Sequence, residues 1–162
     1  MKRKPPDPRT DAAHCDGYHT MLKGRWEPVC IVWRIEDQAE QVLRHRRAFR
    51  DCLVSLAEPP SGVDAAELIY GELVANTVRY ATGAVEVHLE MSRSNRPVLV
   101  VRDHGPGLHV LPWTPRRDPL AESGRGLGIV ELLAHDVAVG DAEGGGTVIR
   151  ATLPVTAREP AA

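Results

Sequence analysis

Glu67-Leu-Ile-Tyr-Gly-Glu72-Leu-Val-Ala-Asn76-Thr-Val-Arg-Tyr80 is the stretch on which the reading of this chain turns. Its apolar residues recur at helical spacing, and Glu72 and Asn76 stand four positions apart, so one helical face presents a carboxylate and a carboxamide side by side. Such a pair suits phosphoryl transfer. The carboxylate can polarise an attacking hydroxyl or water while the carboxamide holds Mg²⁺ against phosphates. An isolated E-x-x-x-N also arises by chance on solvated helix surfaces, so its weight depends on the motifs downstream of it in the chain.

Beyond that helix come Asp103-His-Gly105-Pro-Gly107, then Gly124-Arg125-Gly126-Leu127-Gly128, then Gly144-Gly-Gly-Thr147. Asp103 ends an apolar strand just before two glycines, where its carboxylate can face a pocket and accept from an adenine exocyclic amine. A plain strand-ending Asp-x-Gly turn has the same appearance. The second glycine motif sits at a predicted helix start, where free backbone N–H groups and the positive end of the helix dipole attract phosphate. Its spacing matches neither G-x-G-x-x-G nor G-x-x-x-x-G-K-[ST], which sets aside the Rossmann and P-loop readings. Thr147 can hydrogen-bond a base edge, although a hairpin turn followed by a strand threonine looks alike. In this order the four motifs read as a nucleotide pocket made from one helix, two glycine loops and a late strand.

The rest of the chain supplies the frame. Residues 1–24 mix Lys, Arg, Pro, Asp and Gly without periodicity and are expected to form a flexible tail. Val29 to Ile35 is β-rich, and Glu36-Asp37 can open a first helix whose apolar set is Ala39, Val42, Leu43, Phe49, Cys52, Leu53 and Leu56. Pro59-Pro60 ends it. Ser61-Gly-Val-Asp64 has the capping-box pattern for a second helix carrying Leu68, Ile69, Leu73 and Tyr80 beside Glu72 and Asn76. Thr82-Gly83 should stop that helix. Val85, Val87, Leu89 and Met91 alternate with Glu86, His88 and Glu90 and lead through a turn at 92–96 into Pro97 to Arg102, which predicts a hairpin. An irregular, proline-rich lid runs from Leu108 to Ser123. A short helix over Gly126 to Ala134 and two strands, Asp136 to Val139 and Thr147 to Leu153, complete the pattern.

A chain of 162 residues fits one domain that needs no disulfide or metal staple. Aromatic residues are few, so the core must rest on Val, Leu, Ile and Ala. A net charge of -2 argues against general nucleic-acid binding. Cys15, Cys30 and Cys52 lack C-x-x-C spacing, and with no secretion signal evident they point to reduced thiols in a cytoplasmic protein. No apolar run is long enough to span a bilayer.

These four motifs, over roughly Val29 to Pro154, resemble the GHKL ATPase superfamily (gyrase, heat-shock protein 90, histidine kinase and MutL type), and within it the anti-sigma-factor serine/threonine kinases. The resemblance implies a Bergerat, or histidine-kinase-like, ATPase fold: a two-layer α/β sandwich with a mixed, mainly antiparallel sheet covered on one face by helices. It also implies an ATP-binding domain over 25–156, with short tails at 1–24 and 157–162. By the family pattern Glu72 resembles the catalytic base and Asn76 the Mg²⁺ ligand, while Asp103 resembles the adenine reader. Gly105 and Gly107 look like the first glycine box. Gly124, Arg125, Gly126, Leu127 and Gly128 look like the second, and Thr147 like the threonine lining the adenine site. Histidine kinases usually carry Asn where this chain has Glu72, and their phospho-accepting hairpin is not evident; His45, in Leu43-Arg-His-Arg-Arg47, lies on a basic helix face. The resemblance therefore implies ATP and Mg²⁺ as cofactors, an anti-anti-sigma protein and a sigma factor as partners, and a homodimer. Trp113, Arg116 and Arg117 in the lid have no counterpart in the pattern, and Arg125 or a lid arginine would be the cation at the γ-phosphate.

Overall fold

Three helices and five strands carry residues 31–35, 39–59, 61–80, 83–92, 94–105 and 125–158, which are those described by the computed structural model. The expected tail over 1–24, the Glu36-Asp37 helix start, the lid with Trp113, Arg116 and Arg117, and both Gly107 and Gly124 lie outside the described residues. In chain order the elements are β1 (Ile31–Ile35), α1 (Ala39–Leu56), α2 (Val63–Tyr80), β2 (Val85–Met91), β3 (Pro97–Arg102), α3 (Arg125–Leu133), β4 (Asp136–Asp141) and β5 (Thr147–Thr152).

The strands form one sheet in the order β1-β2-β3-β5-β4, and every pairing is antiparallel. The sheet expected to be mainly antiparallel is thus wholly so among the described residues. Asn95, at φ 57, turns the chain between β2 and β3, a left-handed conformation that Asn tolerates better than most residues. Register sets the two faces. Val87, Val101, Ile149 and Val139 fall in one row, and Leu89, Leu99, Ala151 and Val137 in the next. These rows join the helices in one core with Ile35, Phe49, Leu53, Ile69, Leu73 and Val130. The alternate residues Glu86, His88, Glu90, Arg102 and Arg150 occupy the other face, as the two-residue period of a strand requires. The result is a two-layer α/β sandwich.

Between α1 and α3, α2 also packs on β2 and β3. Contact on three sides widens its buried arc to Val63, Ala66, Ile69, Tyr70, Leu73, Val74 and Thr77. Of the residues named on this helix, Ile69 and Leu73 are buried while Leu68 and Tyr80 are exposed, because the arc is centred on Tyr70 and Leu73. On α1, Phe49 and Leu53 are fully buried, but Leu43 is 62% exposed. Helical spacing alone does not fix where such an arc is centred.

The expected capping box is also displaced. The first intrahelical bond of α2 runs from Ala66 N–H to the Gly62 carbonyl at 2.9 Å, so Gly62 takes the cap position rather than Ser61. Asp64 turns to Arg50 at 2.8 Å. Past β5, Ala157 bridges Ala57, and the Arg158 backbone N–H donates to the Leu56 carbonyl at 2.8 Å. The first residues of the expected tail at 157–162 are therefore tied to the end of α1.

Candidate functional site

Asp103 leaves the end of β3 buried, with its backbone N–H donating to the Thr147 carbonyl at 3.0 Å. Its carboxylate Oδ1 accepts from the Gly105 N–H at 2.7 Å, which closes a tight turn; the second carboxylate oxygen makes no hydrogen bond among the described residues. Beside it Thr147 is also buried, and its Oγ1 has no partner among them. A buried hydroxyl without a partner is costly unless something outside the chain supplies one. A free carboxylate oxygen next to an unpaired hydroxyl fits a base that presents an amine and a ring acceptor.

Gly146 makes this juxtaposition possible. Its φ is +95°, a region that favours glycine, and a Cβ there would overlap the Asp103 carbonyl and crowd the His104 Cα. The three glycines before Thr147 thus bring the start of β5 against the end of β3, as well as turning the β4–β5 hairpin. Sequence reading placed Thr147 but missed Gly146; the signal available was the unbroken glycine run.

Farther along α2, Glu72 and Asn76 lie half-buried one turn apart. Neither makes a hydrogen bond or ion pair among the described residues. Leu73, Val74 and Thr77 hold this part of the helix in the core, and Thr77 Oγ1 donates back to the Leu73 carbonyl at 2.8 Å. Against this face comes the start of α3. A Cβ on Gly126 would overlap the Glu72 carboxylate, so α3 approaches closely enough that a larger residue would push that carboxylate aside. Leu127 packs against the core and Gly128 is exposed, while Arg125 opens the helix. The first N–H groups of α3 have no intrahelical partners and carry the positive end of its dipole. Phosphate held there would lie beside the Glu72 carboxylate. Among the described residues no group of three or more His, Cys, Asp or Glu side chains could hold a metal. The Asn76 carboxamide is an oxygen donor of the kind that Mg²⁺ accepts beside phosphates.

The attitude of α2 is set from behind by α1. Arg46 Nε donates to Glu67 at 2.9 Å, and Arg50 reaches both Asp64 and Glu67. Burial opposes ionisation of Glu67, but the hydrogen bonds from Arg50 and Arg46 outweigh it and hold its carboxyl below the ordinary value. Two arginines of α1 thus serve as braces. Beneath them Tyr70 stacks on Phe49 with centroids 4.6 Å apart, and burial pushes its hydroxyl pKa up.

Residues 35–153 match the family model described as histidine kinase-like ATPase domain. No curated protein matches the chain. One similar solved structure is the NMR structure of the histidine kinase domain of the E. coli osmosensor EnvZ. It is 22% identical, covers 86% of this chain and 96% of that one, and gives a TM-score of 0.44. Among the described residues no helix is long and apolar enough to cross a membrane.

Proposed function

The chain belongs to the histidine kinase-like ATPase domain family, and on that footing we propose that it is an ATP-dependent serine/threonine protein kinase that phosphorylates an anti-anti-sigma protein and alternately holds a sigma factor. The observation that carries the reading is the Glu72 carboxylate, unpaired among the described residues and in contact range of the first turn of α3. That contact brings a base to the place where phosphate would be held.

In this reading the adenine amine donates to the free oxygen of Asp103, and Thr147 Oγ1 pairs with the base edge. Backbone N–H groups of Gly126, Leu127 and Gly128 take the phosphates. Asn76 would hold Mg²⁺, whose charge offsets that of the phosphates. Glu72 accepts the proton of the partner's Ser or Thr hydroxyl as its oxygen bonds to the γ-phosphorus. The bond from that phosphorus to the β–γ bridging oxygen breaks, and ADP leaves. The same reading carries a homodimer and a cytoplasmic setting.

Glu72→Gln tests it. The variant keeps the shape of the side chain and should keep nucleotide affinity, while transfer falls by roughly 10²–10⁴-fold, the usual worth of a general base. Partners captured from cytosol with Mg²⁺-ATP, analysed by mass spectrometry, should carry acid-stable phosphate on Ser or Thr with wild type alone. Equal phosphorylation by both proteins would remove Glu72 from the chemistry. A nucleotide-dependent partner that never gains phosphate would make the chain a binding module instead.

A further inference from the structure

His104 stands between Asp103 and Gly105 in the turn that ends β3. Its Nε2 lies 3.3 Å from Oε1 of Glu86 on β2, and Oε2 of the same carboxylate has the His88 ring at 3.7 Å. Glu86 is the register partner of Arg102 on β3 and of Arg34 on β1. Arg102 in turn donates to the Glu143 carbonyl in the β4–β5 turn.

Three restraints besides His104 act on the Asp103–Gly105 turn: the bond from Asp103 N–H to Thr147, the bond from Gly105 N–H to Asp103 Oδ1, and the close packing of Gly146 on the Asp103 carbonyl. A fourth is the imidazole–carboxylate contact. We propose that His104 is a positioning residue for the nucleotide base: its bond to Glu86 holds the turn that aims the Asp103 carboxylate. This rests on the nucleotide reading of the site and adds a residue to its base end.

Burial opposes ionisation of Glu86, but the hydrogen bonds and charge of His104 and His88 outweigh it and keep its carboxyl below the ordinary value. Glu86 therefore stays ionised near neutrality and does not titrate there. Nε2 of His104 can donate to that carboxylate. The His104 and Glu86 side chains are 42% and 24% exposed, so loss of the bond should lower base affinity modestly, about two- to fivefold.

Adenosine is the informative probe, because it lacks the phosphates that any nearby positive charge would attract. Titrations of the full chain with adenosine and with ATP would compare wild type, His104→Ala and His104→Gln. Wild type should bind adenosine about two- to fivefold more tightly than His104→Ala. The Gln variant, whose amide can also donate to Glu86, should be restored. Amide exchange at Gly105 without nucleotide should speed up in His104→Ala and return towards wild type in His104→Gln. His104→Ala that binds adenosine as wild type does overturns the role of His104 alone. Weaker binding in His88→Ala but not in His104→Ala does the same. Wild type that binds neither adenosine nor ATP overturns the nucleotide reading and this proposal together.

Discussion

The two ends of the candidate site are built from different materials. At the base end backbone meets backbone, since Gly146 lies directly against the Asp103 carbonyl and leaves no room for a Cβ. At the phosphate end backbone meets the tip of a side chain, since Gly126 lies against the carboxylate of Glu72. A carbonyl at the end of a sheet strand cannot move aside without taking strands along, whereas a glutamate tip can swing on its own rotamers. The base end is therefore fixed by folding itself. The phosphate end is left adjustable.

Adding one methyl group to each glycine tests the division, and the larger effect belongs to the base end. Gly146→Ala combines overpacking with a left-handed backbone, so it should lower folding stability by about 2–4 kcal/mol. Urea unfolding would show this, and an unchanged midpoint would mean that the two strands can part cheaply. Gly126→Ala should behave in the opposite way. Alanine is the better helix former by about 1 kcal/mol, and the displaced carboxylate has space to turn, so melting should move little. Phosphate transfer should nevertheless fall by roughly 10²-fold, the scale expected when a reacting group is displaced by about an ångström. A variant that unfolds without a selective loss of transfer would erase the contrast between the ends.

The same contrast marks how far the sequence could be read. Side chains whose chemistry is local were legible: the alternation of Val85, Val87 and Leu89 gives β2, and the helical spacing of Glu72 and Asn76 puts them on one face of α2. Features that depend on a distant neighbour were not. Nothing near Leu68 indicates that α2 is covered on three sides and buries Tyr70 instead. Ser61 looks like a cap until Asp64, its expected partner in the box, is seen paired with Arg50 of another helix. Gly126 reads as a helix-start glycine and Gly146 as a turn glycine, and only tertiary packing shows that one faces a carboxylate and the other a carbonyl. Gly107 and Gly124, read as members of the first and second glycine boxes, lie beyond the described residues.

A smaller effect should separate folding from binding within the base end. Thr147 Oγ1 is buried without a partner among the described residues, so Thr147→Val removes an unsatisfied group while nearly keeping the volume. Stability should hold or rise by up to about 1 kcal/mol, and adenosine affinity should drop by about two- to tenfold, the worth of one neutral hydrogen bond. Calorimetric melting and adenosine titration on the same samples would show both. Loss of stability would mean that the hydroxyl already has a partner in the folded chain.

The smallest effect concerns the brace behind the phosphate end. The folded pKa of Glu67 lies below its unfolded value, so its contribution to stability is complete above the unfolded value of about 4.3 and disappears as pH falls through the lower folded one. Arg46 and Arg50 are each 41% exposed, which keeps that contribution modest. Glu67→Gln should melt slightly below wild type at neutral pH, and the gap should close as both are taken below about pH 4. Because the ion pairs of Glu67 among the described residues run to α1 arginines, adenosine affinity should not change. The transfer rate is the more sensitive readout, since Glu72 lies on the helix that this brace supports. A loss of adenosine affinity in Glu67→Gln would show that α2 also sets the base end, and that the two ends are not independently built.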